Sequence, residues 1–502
     1  MSTDEITAKV FKALAITGLV SMAIACGGGG SPTSESVVTR GVITSLGSIW
    51  VNGVEYETPD GGSYSNDDST STIASYEVGQ VVSLRGTRHG GGVSGTATEV
   101  DYEAEIEGAA DSTSTINGVT ILITPTTNVT KATLDTSGDL IDGLRYEVSG
   151  FWLDNTTIEA TFIKDDDDSG SGGDGIDEVK GFVEAPNLDP LALTVRGVTY
   201  TYSGTPAVSI GDLVEIHFDP STNIASRVEL EDDFFDNLGH GQEVELEGAV
   251  NMDPDNLAGC PTDADFLIDR TCIDWDSVDE WMDGLDGPID MVSGLRVEAE
   301  GHFNAAGDLL IAEKIKGRGN RVRISAIAIN VDTGAGSFDL FFGDIQVTTQ
   351  SGVTRFDDGL TISTLPAAGL EVRGIRTGAT SMLAIRIKAD SVGLTDHELR
   401  AEVDLNGANS GANTITVMGI SSVAGPNTEL EDEDIVIAPG NGATTEAQID
   451  SFLSMIDDDD IVNFSNGPRD VIDVRIDTTN GGNGSSGNPY AAKQIEIERE
   501  DD

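Results

Sequence analysis

Residues 78–88 read "VGQVVSLRGTR", and the same phrase returns at 141–152 as "IDGLRYEVSGFW", at 209–219 as "SIGDLVEIHFD", at 292–303 as "VSGLRVEAEGHF" and at 367–378 as "AAGLEVRGIRTG", with a degenerate sixth copy at 457–467, "DDDDIVNFSNG". Apolar and polar residues alternate within it, as at Val214, Ile216 and Phe218. Period-two alternation places one face of a strand in a core and the other in solvent. A second strand follows each copy: "SGTATEVDY", "NTTIEATFIK", "TNIASRVELED", "GDLLIAEKIKG", "SMLAIRIKAD" and "YAAKQIEIERE". A strand and turn precede it, as in "TRGVITSLGSIWVNGVEYET" from Thr39. A fixed internal period decides the architecture before any motif does. The unit, of about 65 to 80 residues, has too few strands for two packed sheets, so a curled, barrel-like sheet is expected.

The chain is therefore expected to be all-β, a tandem array of about six small antiparallel β-barrel-like repeats. The expected repeats cover 38–103, 104–164, 177–232, 242–318, 321–390 and 397–500. Short helices are expected in insertions: "DSVDEWMDGL" inside a fourth-repeat insertion at 253–288, and "TTEAQIDSFLSMI" in the sixth, where Ile449, Phe452, Leu453 and Ile456 share one helical face. Residues 165–176, "DDDDSGSGGDGI", read as an acidic Gly/Ser linker, so beads on a chain with a flexible joint are anticipated.

The phrase G-x-V-x-V-x-G followed by A-x-x-I resembles the domain of unknown function 5666 family, found in bacterial lipoproteins with a similar tandem layout. That resemblance implies a small β-barrel and supplies no activity and no functional residues.

The amino terminus carries a separate signal. Lys9 and Lys12 precede an apolar run from Ala13 to Ala25, the length of a signal-peptide apolar region. Ala23-Ile24-Ala25-Cys26 resembles the lipobox of bacterial lipoproteins, which implies cleavage at residue 25, a diacylglycerol and palmitate anchor on Cys26, and a Gly/Ser tether over 26–37. Gly27 is not the aspartate of the enterobacterial inner-membrane retention pattern, so an outer-membrane address is expected, facing the periplasm or the cell surface.

With 87 acidic against 28 basic residues, the formal charge is −59. Such a chain repels phosphate backbones, so nucleic acid is excluded as an expected partner. Two further cysteines, Cys260 and Cys272, lie close together, and an exported compartment lets them pair.

Catalytic signatures are sparse. His89, His217, His240, His302 and His397 are scattered with no His-Glu-x-x-His pattern. Asp332-Thr333-Gly334 resembles the active-site triplet of aspartic proteases, but that chemistry needs a second carboxylate sharing a proton, and no second triplet occurs. Acidic groups at Asp165–Asp168 with Asp174, at Asp274, Asp276 and Asp279, and at Asp457–Asp460 raise calcium, yet none follows the EF-hand register. No cofactor is expected, Ca²⁺ being the one candidate. Trp50 and Trp152 read as strand core, and Trp275 and Trp281 as a ligand face. The expected protein is a non-enzymatic binding or scaffold lipoprotein with a protein or polysaccharide ligand. A calcium-dependent adhesin and, further off, an aspartic-type hydrolase using Asp332 are the alternatives.

Overall fold

The computed structural model describes residues 34–498 other than 67–68, 71, 91–92, 167–175, 189–190, 204–205, 232–233, 236–237, 239, 254–259, 283–284, 286, 320, 352, 358, 366–368, 391–395, 405–406, 433–434, 439–443, 454–455, 457–470, 478–484 and 486–488. The lipobox with Cys26, the glycine tether, Asp167, Asp168, Asp174 and Asp457–Asp460 lie outside the described residues.

The first barrel sets the pattern. Its lead strand Glu35–Ser45 pairs antiparallel with Ile49–Val51, which hairpins into Val54–Glu57. Asn52 and Gly53, at φ 53° and 75°, make the hairpin turn; two successive positive-φ residues give the backbone twist that matches paired strands. The third strand then lies parallel to the fifth, Ser94–Tyr102, which pairs antiparallel with the fourth, Val81–Arg88, and the fourth closes on the lead strand. The resulting order, 1-2-3-5-4-1, is the connectivity of an OB-type barrel, a five-stranded Greek-key closure.

All six repeats adopt it. The lead strands of barrels two to six are Ile106–Ala109, Asp177–Leu188, Glu243–Asn251, Arg321–Ile327 and Asp396–Glu402. In each, the third strand runs parallel to the fifth. The hairpin turn recurs as Asn117-Gly118, Arg196-Gly197 and Met418-Gly419, always with positive φ at both positions.

The last glycine of the repeated phrase also has a cause. Gly86, Gly150, Gly301 and Gly374 each sit at a register shift between fourth and fifth strands. There the neighbouring backbone approaches so closely that a Cβ would stand 2.0–2.5 Å from a carbonyl oxygen of the facing strand. These are β-bulges, which bend and twist a strand so that a short sheet can close. Barrel three shifts register at His217/Phe218 and barrel six at Arg475/Ile476, both without glycine. That missing landmark misplaced the sixth copy of the phrase: the fourth strand of barrel six is Val471–Asp477.

Two further local expectations are corrected. The stretch 253–288 is no insertion, because it supplies the second and third strands of barrel four, Phe266–Ile268 and Thr271–Asp274. The helix expected over "DSVDEWMDGL" does not form: Glu280–Met282 is a strand running parallel to Leu310–Gly317. The edge of that long strand offers backbone partners that a short acidic helix would forgo. In the sixth repeat, a helix does form at Glu446–Leu453, burying Ile449, Phe452 and Leu453.

The barrels are not free beads. A lead strand pairs with its own second strand only over its later half, leaving its first half with an open edge, and open edges invite pairing. Another lead strand fills it each time: barrel two with three, antiparallel; barrel five with six, antiparallel; and barrel one with four, parallel, through Val37↔Glu243 to Arg40↔Leu246. Barrels five and six share one apolar core, as do barrels two and three.

Ion pairs join barrels both within these pairs and between them. Arg296 of barrel four lies between Glu247 and Glu159 of barrel two, with its guanidinium 4.3 Å from the Phe151 ring. Arg40 bridges Glu105 and Asp269, Arg88 reaches Glu245 and Glu300, and Asp290 joins barrel four to Arg373 and Arg386 of barrel five. Arg145 holds both ends of the acidic linker, donating to Asp166 at 2.7 Å and Asp177 at 2.6 Å. Scarce cations thus bridge barrels at several junctions.

Glu103 lies in one such junction, near Lys180, Asp101, Glu215 and Glu231. Burial, opposed by Lys180 and reinforced by the three acids, pushes its carboxyl up to about 9. The unfolded chain releases this proton near 4.5, so the folded state loses stability as pH rises between those values. Glu103→Gln should therefore melt with the wild type at pH 4 and clearly above it at pH 8, as followed by circular dichroism. Equal melting at both pH values would refute the protonated state.

Candidate functional site on the fourth barrel

The second hairpin of barrel four pairs Phe266 with Ile273 and Leu267 with Cys272. Cys272 is bonded to Cys260 across a Cα separation of 5.8 Å, fastening the segment that enters the hairpin. Because Phe266 faces Ile273, the residues just outside that pair, Asp265 and Asp274, meet at the hairpin's open end. Asp276 follows in a turn in which its N–H donates to Asp274 Oδ1 at 2.8 Å. Carboxylate oxygens of Asp265, Asp274 and Asp276 all lie within 4.8 Å of one another. Burial, with the charges of Asp274 and Asp276 adding to it, pushes the Asp265 carboxyl up, against the N–H that Trp275 donates to it.

Trp275 leads away from this acidic corner. Its ring stacks on buried Phe266 at 5.6 Å between centroids, and Trp281 lies a further 6.2 Å along, tilted by 59°. Both indoles are half-buried against the barrel-four core. The face thus offers a graded aromatic row beside three hard oxygen donors. Three carboxylates are the donor type calcium takes, at half of the six to eight oxygens it needs.

Of the acids singled out from sequence, Asp274 and Asp276 come together and Asp279 does not. Asp279 bonds through its backbone to Glu313 and lines a separate groove with His302 and Lys314. Asp265, not singled out, replaces it; only the hairpin register reveals it.

The remaining candidates resolve individually. Asp332 is exposed, and its Oδ1 accepts from the N–H groups of Gly334 and Ala335 at 2.9 and 3.0 Å, which holds its carboxyl below the usual range. It closes a turn between two strands. Trp152 is buried; its Nε1 donates to Glu105 at 2.8 Å and Arg196 covers its ring. Trp50 is half-buried on a second strand. Asp165 accepts from the backbone and hydroxyl of Thr133.

Fold and site together define a tandem array of small OB-type β-barrels. Residues 103–164, which contain barrel two, match the family model of a domain of unknown function, DUF5666, the family the repeated phrase resembles. No curated protein matches the chain. Among solved structures, the Drosophila chain titled "drosophila Unr CSD456" aligns at 13% identity and a TM-score of 0.10, covering 43% of this chain and 97% of its own. A multidomain protein with nucleic acid binding domains from Streptococcus pneumoniae aligns at 12% identity and a TM-score of 0.11, covering 41% and 72%. At those scores neither bears on what this chain binds.

Proposed function

We propose that this protein is a lipid-anchored envelope lipoprotein, held at the outer membrane through Cys26, that acts as a non-enzymatic binding or scaffold protein for a polysaccharide or protein ligand. The observation that carries the binding role is the Trp275–Trp281 row beside Asp265, Asp274 and Asp276. Its Asp265 and Asp274–Trp275 end flanks the second and third strands of its barrel, the face on which OB folds take up oligonucleotides and oligosaccharides. A charge of −59 disfavours the oligonucleotide, and half-buried indoles suit the flat faces of sugar rings or a protein anchor.

Fractionation and protease shaving of intact cells test the reading. The wild type is expected in the outer-membrane fraction and Cys26→Ala in the soluble fraction, with barrel four cleaved on intact cells if the array faces outward and only after outer-membrane rupture if it faces the periplasm. Retention of Cys26→Ala in the membrane would overturn the lipid anchor.

A further inference from the structure

Barrel three carries a second cluster of ligand-type side chains, on a different face and of different chemistry. Its fourth strand, Leu213–Asp219, reads "LVEIHFD". Glu215 and His217 are two residues apart and so point to the same side of the sheet. On the adjoining lead strand, Glu178 is the register partner of His217. His217 Nδ1 lies 2.6 Å from Glu178 Oε1, and Nε2 lies 3.3 Å from Glu215 Oε2. On the other side, Glu229 is the register partner of Glu215, and Glu231 follows it. Glu215 thus belongs to two groups at once, one with Glu178 and His217, the other with Glu229 and Glu231, each with its ligand atoms within 4.8 Å of one another.

Glu215 decides the matter. Its side chain is 3% exposed, and its buried Oε2 accepts no well-directed hydrogen bond. A buried carboxylate is stabilised by a partner that supplies both charge and directed bonds. Two cations border it: Arg227, half-exposed, pairs with Glu229 and lies 3.5 Å from His217 Nε2, and Lys180, the register partner of Glu215 on the lead strand, lies 3.8 Å from Glu105. Acidic residues outnumber bases on this face, and one imidazole sits at its centre.

We propose that His217, Glu178 and Glu215 form a binding site for a divalent transition-metal ion of the zinc class, with Glu229 and Glu231 shaping the negative field around it. Imidazole nitrogen combined with carboxylate oxygen selects zinc-like ions over calcium, which takes oxygen alone. Ligand distances of about 2.0–2.2 Å to zinc require the three groups to draw together from their metal-free spacing. Three protein ligands leave the remaining position to water, on the side where Glu178 is 24% exposed.

The test is calorimetric titration of zinc chloride into the full chain, solubilised in detergent and stripped with EDTA, at pH 7.5. Expected is one zinc lost from the stoichiometry, or weakened at least about tenfold, in each of Glu178→Gln, Glu215→Gln and His217→Gln. Circular dichroism and thermal melting of each variant establish that it is folded, so a loss of zinc cannot be ascribed to unfolding. Zinc uptake unchanged in all three variants, or displacement of the zinc by equimolar calcium, would each overturn the assignment.

Discussion

Gly301→Ala is expected to destabilise the protein by about 3 kcal/mol, near the upper end of what overpacking usually costs. A Cβ at this position would stand 2.0 Å from the Ile311 carbonyl oxygen and 2.9 Å from Ala312 Cα. These contacts are with backbone, so no side chain can swing away to relieve them. The fourth and fifth strands of barrel four must part at the bulge or lose it, and the bulge is what lets the sheet curl shut. Gly61→Ala is the control: no atom lies within 4 Å of its Cβ position and its φ is not positive, so a change below about 0.5 kcal/mol is expected. Denaturant unfolding of the two variants separates them. If Gly301→Ala unfolds with the wild type, the explanation given for the repeated glycine is wrong.

Removing Arg296 should cost as much or more. Its side chain is 9% exposed, and the two carboxylates it holds, Glu159 and Glu247, are 1% and 3% exposed. Arg296→Met fills much of the volume and leaves two buried acids without their shared cation. Breaking a buried pair in this way typically costs about 3–5 kcal/mol. The triple variant Arg296→Met, Glu159→Gln, Glu247→Gln should recover a large part of the loss, since it takes away the uncompensated charge. A melting temperature within about a degree of wild type at pH 7 would mean that the guanidinium contributes little to the junction between barrels two and four.

The parts of this fold legible in sequence are those with a local cause. Alternation in strands such as Val81–Arg88, the bulge glycine at their end and the Asn-Gly hairpin turn all act over a few residues, and they mark the repeat. Barrel four hides its second and third strands because Phe266–Ile268 is buried at all three positions, leaving no alternation to read. Barrel six conceals its fourth strand because no glycine marks its register shift. The site divides in the same way. Trp275, Trp281, Asp274 and Asp276 sit within one short stretch, whereas Asp265 joins them only through the register of a hairpin. Glu215-x-His217 was in plain view as a same-face pair, yet its significance depends on Glu178, which lies on another strand. Lead-strand pairing between barrels has no local signature, since Val37 and Glu243 meet as generic strand residues.

That last pairing imposes an order of events on the newly made chain. Barrels two and three are neighbours in sequence and can pair as soon as both exist, and so can five and six. Barrel one meets its mate only after the intervening pair has been produced, some 206 residues later, or about 10–40 s of synthesis at ordinary rates. Two and three are thus enclosed between the halves of an outer pair, like a phrase inside brackets. A chain stopped within barrel three would open the bracket and never close it, and its first strand would be left to recruit whatever edge it met.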